Sequence, residues 1–292
     1  MKSGESIRLN YREYEHWKYE NFVRFVNNLL LLRSRVDLHI FQLHFDSHHV
    51  VNCDDVRTWI GYAVKNNVKV LDVNMHQYDK TVLPRCIFTC RSLEDLNLKM
   101  GKAPYKDYEH EGLVLPDIIR LPSLKKLSLC DVEVDTSSLE QIIARSPGLE
   151  DLHLINCAQH LDLVDSKVLK RLTVDGFLGR DKGLTIAAPC LIHFKCTGLP
   201  LEEISWRERP SLESAHIFAS LSRSTCDGQS DFTGIFLNAK RLALFGSGIK
   251  VFSTKDKYIC FIVAINILKD SLMNFFSLLL YLPCRVFPHF LY

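Results

Sequence analysis

The residues best suited to chemistry lie in one short stretch between positions 44 and 55. Imidazole, thiol and carboxylate groups, the kinds of donor that hold zinc, are all present there: His44, Asp46, His48, His49, Cys53, Asp54 and Asp55. Their spacing matches no established zinc site, and the stretch connects an expected strand to an expected helix. We therefore interpret it as a solvated loop in which Asp54 or Asp55 caps the helix. We predict neither a metal nor a cofactor.

Nucleophilic chemistry is not indicated elsewhere in the chain. Ten cysteines and twelve histidines could be paired in many ways, but no G-x-S-x-G, G-x-x-x-x-G-K-[ST], G-x-G-x-x-G or C-x-x-C motif orders them. Cys130, Cys157 and Cys196 lie on or just after expected strands, where cysteine serves as a small packing residue. The sequence predicts a binding protein and not an enzyme.

The overall charge balance excludes one class of partner. Among 292 residues, 36 are basic and 34 acidic, which gives a formal net charge of +2. Such a chain has no overall field that attracts nucleic acid, so we predict no nucleic-acid partner. The segment Met1 to Asn10 lacks the apolar stretch of a secretory signal, and we expect a cytoplasmic or nuclear location with reduced cysteines.

The C-terminal region is apolar but does not have the pattern of a membrane helix. From Tyr258 to Leu282 it is interrupted by Lys269 and Asp270. Each half is shorter than the roughly 20 apolar residues that a spanning helix needs, so a membrane anchor is the least favoured interpretation. Two others stay open for residues 251–292: a cap over the last repeat, or an altered tail foreign to the fold.

An internal repeat dominates the rest of the chain. The template L-x-x-L-x-L-x-x-N/C of leucine-rich repeats matches best at Leu149, Leu152, Leu154 and Cys157. Eight copies begin 20 to 31 residues apart, and the second and third anchors of each copy are as follows: Leu71 and Val73, Leu96 and Leu98, Leu127 and Leu129, Leu152 and Leu154, Leu172 and Val174, Phe194 and Cys196, Ala215 and Ile217, Leu242 and Leu244. Single copies are weak evidence, but eight in succession indicate a solenoid.

The repeat predicts an α/β fold, a leucine-rich-repeat horseshoe. Anchors two residues apart on a strand point to the same side, so stacked repeats bury them in one core beneath a curved parallel sheet on the concave side. Short helices or turns should cover the convex side. One helix is expected to carry Val56, Trp59 and Ile60, and another to begin at Ser137 with Glu140 in capping-box spacing. Segments that lead the chain from one strand back to the next, such as the one at Leu83-Pro84, are expected to form single turns or short 3₁₀ helices.

Several sequence segments resemble those of the plant F-box/leucine-rich-repeat proteins. Trp17, with Phe22, Val23, Asn27 and Leu30, is similar to the short helix that follows the F-box, and Leu38 to Phe45 is similar to the first strand. The stretch VRTWIGYAVKNNVKVLDV (56–73) looks like the next helix and strand. The phrases LPRCIFTCRSLEDLNL, LPSLKKLSLCDVEV and SPGLEDLHLINC are typical of the repeats of this family. The resemblance covers roughly residues 17 to 250.

The resemblance implies a role in protein recognition. In this family the F-box holds a Skp-type adaptor of a cullin ubiquitin ligase, and the repeats bind the protein to be ubiquitylated. Residues 1 to 16 contain no L-P-x-x-x-L-x-x-I-L type helix start, so the F-box is expected to be missing and we expect no measurable binding to a Skp-type adaptor. The expected organisation is a helical linker-like segment at 1–33, the solenoid at 34–250 and the apolar tail at 251–292.

Outward positions of the predicted strands form the candidate binding surface. Side chains that alternate with the core anchors should point out from the concave face. Those chosen as partner-binding residues are Asp95, Lys126, Asp151, His153, Arg171, His193, Lys195, His216, Phe218, Arg241 and Phe245. Their charges are mixed in the early repeats and basic in the later ones, with aromatics at the end. This pattern favours an acidic protein partner with an apolar anchor.

Two functional hypotheses follow from these features. The first is a substrate-recognition module related to cullin-ligase receptors, without its own recognisable F-box. The second is a stand-alone interaction scaffold, or a decoy, with no link to ubiquitylation.

Overall fold

Parallel pairing runs through the whole described part of the chain. The computed structural model describes residues 5–33, 37–45, 52–75, 83–100, 116, 118–132, 134–157, 161–176, 183–198, 204–218, 239 and 241–245, with the side chains at 218 and 242–245 outside the description. Ten strands form one sheet in the order β1-β2-β3-β4-β5-β6-β8-β10-β12-β13. They are β1 Ser6–Asn10, β2 Ile40–Phe45, β3 Val70–Met75, β4 Asp95–Met100, β5 Lys126–Cys130, β6 Asp151–Ile155, β8 Arg171–Asp175, β10 His193–Thr197, β12 Ser214–Phe218 and β13 Arg241–Phe245.

The sheet confirms the predicted repeat. All nine pairings are parallel, and equivalent anchors fall opposite each other, so that Leu96 pairs with Leu127, Leu127 with Leu152 and Leu152 with Leu172. These leucines are 0–1% exposed and belong to one continuous hydrophobic core. Each repeat alone could not cover its apolar face, and stacking against both neighbours removes that face from water.

Helices cover the core under the early repeats. They are α1 Tyr19–Leu32, α2 Cys53–Lys65 and α3 Thr136–Ala144, with 3₁₀ turns at Tyr11–Tyr14 and Arg85–Thr89. The predicted core face of α2 is confirmed, because Val56, Trp59, Ile60 and Ala63 are buried. These residues recur at the spacing of one helical face, which explains why α2 forms against the core.

The predicted helix starts are wrong by a few residues. Asn52, and neither Asp54 nor Asp55, caps α2, since its side chain accepts a hydrogen bond from the Asp54 amide. Asp54 and Asp55 lie in the first turn, where carboxylates favour the positive end of the helix dipole. In α3 the cap is Asp135, which accepts from the Ser138 amide, so the helix begins before Ser137. Several adjacent polar residues could cap each helix, and the sequence does not distinguish them.

A second, smaller sheet replaces helices in the later repeats. Its strands are β7 Leu163–Asp165, β9 Leu184–Ala187 and β11 Ile204–Trp206, all parallel, in the order β11-β9-β7. Val164, Leu184 and Ile186 are buried on its core side. Only helices or turns were predicted here, because strands of three or four residues are too short to show a period.

The N-terminal region joins the solenoid directly. β1 pairs in parallel with β2, so the sheet begins before residue 34 and the strand at Leu38 to Phe45 is the second, not the first. Behind these strands an aromatic cluster fills the end of the core, with Phe22, Phe45 and Trp59 at most 1% exposed. The Trp59 indole N–H donates to Asn27 Oδ1 at 2.8 Å, which ties α2 to α1 and satisfies the polar atom of a buried side chain.

A repeated turn sets how the chain leaves the sheet. Asp131, Asn156 and Gly176 each follow a strand directly and have φ of 55°, 54° and 83°. Their amides donate across the stack, from Asp131 to Ile155 O at 2.8 Å and from Asn156 to Asp175 O at 2.7 Å. Asn156 Nδ2 also donates to Asp131 Oδ1 at 3.0 Å. Asparagine, aspartate and glycine tolerate this left-handed backbone best, so the sequence at these turns matches the geometry.

Within the described ranges, no helix combines the length and apolar character needed to cross a bilayer. The apolar tail at 251–292 lies outside the described residues.

Candidate functional site

The outward side of the ten-stranded sheet is the candidate site. We call it the open face, defined by the first, third and fifth positions of each strand, which alternate with the buried anchors. The burial of β3, β4 and β5 shows this alternation: their anchors are buried and their outward positions half-buried. The predicted site residues whose side chains the structure describes therefore lie on one surface. Whether a partner binds them remains a prediction.

The central strands carry a row of alternating charges at their first positions. Asp95 on β4 pairs with Lys126 on β5, Lys126 with Asp151 on β6, and Asp151 with Arg171 on β8. The Arg171 Nε donates to Asp151 Oδ2 at 2.9 Å, and Lys126 Nζ lies 4.0 Å from Asp95 Oδ2. Like charges directly opposite each other destabilise a sheet, so the alternation of sign favours this stacking order.

The residues just before these strands repeat the same alternation along the rim. Glu94 Oε2 lies 2.7 Å from Lys125 Nζ, and Glu150 Oε1 lies 2.8 Å from Lys170 Nζ. Lys69 Nζ lies 3.5 Å from Glu94 Oε1. The carboxyl pKa of Glu94 is lowered by the hydrogen bond from Lys125. On β4 to β8, the rim residue and the first-row residue of each repeat therefore carry charges of the same sign. That sign reverses from one repeat to the next.

Two equivalent aspartates in the first row have opposite electrostatic environments. Burial disfavours the charged form of Asp151, but the contacts with His153 and Arg171 outweigh it and lower its pKa. The His153 Nε2 lies 2.9 Å from Asp151 Oδ1. Burial raises the pKa of Asp95, and Lys126 at 4.0 Å only partly opposes this because Asp151 and Asp72 add to the effect of burial. Asp151 is thus a stabilised carboxylate, whereas Asp95 is poorly compensated.

Sequence reasoning missed a polar cluster on the early strands. Asp72 on β3 accepts hydrogen bonds from Gln42 Nε2 at 3.1 Å and from Asn97 Nδ2 at 2.8 Å. The His44 Nε2 lies 3.0 Å from Asp72 Oδ2. Asp72 and Asn97 occupy middle positions of the open face, but only the register of three strands shows that they meet. His44, considered above as a metal ligand, faces this carboxylate instead.

The later strands present basic groups that the sheet does not neutralise. Lys195 on β10, His216 on β12 and Arg241 on β13 are exposed, and the register places Lys195 beside His216 and Ser214 beside Arg241. None of these three side chains forms an ion pair within the part of the chain that the structure describes. His193 differs, because its Nδ1 lies 2.7 Å from Ser214 Oγ. We call Lys195, His216 and Arg241 the basic end of the open face.

The remaining predicted residues are placed only in part. Phe218 and Phe245 are paired positions of β12 and β13, but their side chains lie outside the described residues. Asp46, His48 and His49 also lie outside them, and the described residues contain no His, Cys, Asp and Glu grouping suited to a metal.

The cysteines on the strands show no sign of activation. Burial, with Asp131 nearby, raises the pKa of the Cys130 thiol to about 12. Burial likewise raises the pKa of Cys157 to about 11. Both thiols stay protonated at neutral pH and are poor nucleophiles. Cys157 and Cys196 are at most 2% exposed, which agrees with the predicted packing role.

The parallel sheet, the repeated strand exit and the polar open face define a leucine-rich-repeat protein. The chain belongs to the FBD-associated F-box protein family: the family model for the LRR repeats of FBD-associated F-box protein At5g56370 matches residues 56–254. This confirms the resemblance to plant F-box/leucine-rich-repeat proteins. The F-box and LRR modules named in this family are protein-interaction modules.

Relatives from Arabidopsis thaliana agree with this assignment. FBD-associated F-box protein At5g56380 is 34% identical over 48% of this chain and 30% of its own length. FBD-associated F-box protein At3g52670 is 26% identical over 84% of the chain and 56% of its own length. F-box/FBD/LRR-repeat protein At1g78750 is 29% identical over 69% and 44%. The chain therefore spans between 30% and 56% of the length of these relatives. No solved structure matches it.

Proposed function

We propose that this chain is a protein-recognition module that binds its partner on the open face of the sheet. The observation that supports this most directly is the face itself, which continues across ten strands and presents polar and charged side chains in register. A continuous array of this kind suits the binding of an extended segment or a domain edge. The family assignment points in the same direction, because its repeats are interaction modules.

Proximity labelling in plant cells tests this proposal with matched variants. The open-face variant is Lys195→Glu with Arg241→Glu, and the control is Arg145→Glu with Arg207→Glu. The control arginines are exposed near α3 and β11, on the opposite side of the core, and carry the same change in charge. Partners labelled by the wild-type chain should be lost with the open-face variant and retained with the control. Loss with the control alone would place the site elsewhere.

The finer proposal is that the chain serves substrate recognition for a cullin-type ubiquitin ligase. Its support is the F-box in the names of the relatives. The test is the lifetime of a labelled partner when the chain is overproduced. A link to the ligase should shorten that lifetime, whereas a scaffold or decoy would leave it unchanged or lengthen it.

Direct adaptor binding is a separate question. Residues 1 to 16 lack the F-box helix pattern, and in the structure they contribute β1 and a 3₁₀ turn to the solenoid. We therefore expect no measurable binding between this purified chain and a purified Skp-type adaptor. Robust binding would mean that the region before β2 holds an adaptor site of another kind.

The proposal extends to a reducing compartment, the cytoplasm or nucleus. Five of the described cysteines, Cys86, Cys90, Cys130, Cys157 and Cys190, are free thiols, which suits that environment. Imaging of a fluorescent fusion in plant cells tests this, and secretion of the fusion would contradict it.

A further inference from the structure

We propose that the basic end of the open face binds an acidic segment of the partner protein, with Lys195, His216 and Arg241 as the contact groups. This inference rests on the proposed function of protein recognition and adds the chemistry of the partner and the strands on which it binds.

The alternation of charge along the first row stops after β8. From β4 to β8 each first-row charge has the opposite charge on the next strand, ending with Asp151 and Arg171. The next first-row residues are His193 and Ser214, which contact each other, and then Arg241. No acidic residue occupies the first row after β6 in the described strands. The sheet therefore ends with positive charge that it does not itself neutralise.

The middle row changes in the same place. It carries Asn97, Ser128 and Thr173 on β4, β5 and β8, which are neutral, and His153 on β6, which lies 2.9 Å from Asp151 Oδ1. It then carries Lys195 on β10 and His216 on β12, which are neighbours in the register. Lys195 in the middle row and Arg241 in the first row thus add exposed basic groups within strands β10 to β13.

The basic end has the size of a short peptide segment. Strands of one sheet lie about 4.8 Å apart, so β10 and β13 are separated by roughly 10 Å. The first and third positions of a strand are separated by about 7 Å. The three cations therefore occupy a patch of roughly 10 by 7 Å. Such a patch spans about three residues of an extended chain, enough for two or three carboxylates.

Ion pairing, and not exposure, distinguishes the basic end from the cations of the central strands, since Arg171 is exposed as well. Lys195, His216 and Arg241 are exposed, so folding has removed little of their hydration. Arg171 already donates to Asp151 and Lys126 lies near Asp95. A partner carboxylate at Arg171 would compete with an existing ion pair, whereas one at Lys195 or Arg241 would meet no ion pair among the residues that the structure describes.

A protein segment fits this surface better than nucleic acid does. The chain as a whole has a formal charge of only +2, and Asp175 on β8 and Glu213 just before β12 flank the basic end. Tight binding of a phosphate backbone usually requires a longer run of basic groups than three. A peptide can place its carboxylates away from Asp175 and Glu213. A continuous phosphate backbone would bring its negative charges close to both.

The test is selection from a displayed library of random peptides on the immobilised full chain. Peptides enriched in Asp and Glu should be selected. Their affinity should fall at least about tenfold for Lys195→Glu with Arg241→Glu, and about three- to tenfold for Lys195→Gln with Arg241→Gln. The control Arg145→Glu with Arg207→Glu should stay within about twofold of wild type. Because all these side chains are exposed, thermal unfolding should show that every variant folds.

The other outcomes of this selection distinguish a failure of the acidic-segment inference from a failure of the proposed function. Selected peptides without acidic enrichment, if they are lost in an Asn97→Arg variant of the central strands, would overturn this inference and leave the proposed function intact. Peptides that depend only on Arg145 and Arg207 would contradict both. An RNA oligonucleotide of equal charge that binds the basic end more tightly than the acidic peptide would also overturn the inference.

Discussion

The open face has two regions that look alike in sequence and differ in their interactions. Strands β4 to β8 carry Asp95, Lys126, Asp151 and Arg171, whose charges alternate and meet across the sheet. Strands β10 to β13 carry the basic end, whose cations have no such neighbours among the described residues. The comparison teaches that an outward charge on a repeat strand is either part of the stacking or available to a partner. Register and the ion pairs already formed decide which it is.

The two regions share the same core, and the largest predicted effect tests this common part. Leu152→Ala on β6 removes a fully buried side chain and should lower the free energy of unfolding by about 2–5 kcal/mol. Phe194→Ala on β10 should cost about 3–5 kcal/mol. Denaturant unfolding measures both. An unchanged midpoint for either variant would mean that its region is not stacked as described.

The pair Asp151 and Asp95 sharpens the comparison within the central strands. Asp151→Asn weakens contacts with Arg171 and His153 at a side chain 11% exposed, and should cost about 1–2 kcal/mol at pH 7. Asp95→Asn removes a poorly compensated charge and should be neutral or stabilising, within about 0.5 kcal/mol. Unfolding of both variants under identical conditions is the measurement, and equal losses would refute the distinction.

The pH dependence of these variants has a defined sign. The pKa of Asp151 is lowered in the folded chain, so its contribution is present above the ordinary carboxyl pKa of about 4 and is lost as the pH falls through the folded value. The pKa of Asp95 is raised, so its effect on stability is favourable below about pH 4 and is lost as the pH rises through the folded value. The stability difference between wild type and Asp151→Asn should therefore shrink in acid. A constant difference down to pH 3 would contradict the account.

Removal of single cations should affect the two regions differently. Arg171→Ala removes a donor to a buried carboxylate and should cost about 1 kcal/mol of stability. Lys195→Ala should change stability by less than about 0.5 kcal/mol, because its side chain is exposed. The same two variants should have the reverse order of effect on partner binding. Equal effects of both variants on stability would remove the distinction between stacking charges and contact charges.

The smallest predicted effect concerns His216, which lies beside Lys195 in the register and has Ala243 opposite it on the next strand. Its imidazole can donate one hydrogen bond to a partner carboxylate, so His216→Ala should weaken binding of an acidic peptide by only about two- to threefold. Binding by Lys195→Ala should fall further, and peptide titration of the two variants under identical conditions is the measurement. Unchanged affinity in His216→Ala would exclude His216 as a contact.

Much of the fold could be predicted because leucine anchors repeat at fixed positions, and only stacking can bury them. The strands from Val70 to Phe245 follow directly from that pattern. The small sheet of β7, β9 and β11 could not be predicted, since its strands are too short to show periodicity. The caps at Asn52 and Asp135 were missed because neighbouring polar residues satisfy the same rule.

The candidate site was predictable in position but not in energetics. Alternation placed Asp95, Asp151 and Lys195 on the outward face, and the structure agrees. It could not show that Asp151 is 8% exposed while Lys195 is open to water. The cluster around Asp72 was missed because its members come from three strands, and no single repeat shows them together.

Protection of lysines from acylation tests the central claim most directly. The chain would be treated with an amine-reactive reagent with and without a partner obtained by proximity labelling, and Lys195, Lys126 and Lys65 compared by mass spectrometry. Lys195 lies in the basic end, Lys126 in the central row, and Lys65 is exposed at the end of α2. We predict that the partner protects Lys195 strongly, Lys126 less, and Lys65 not at all. Protection of Lys65 with full reactivity of Lys195 would contradict the account.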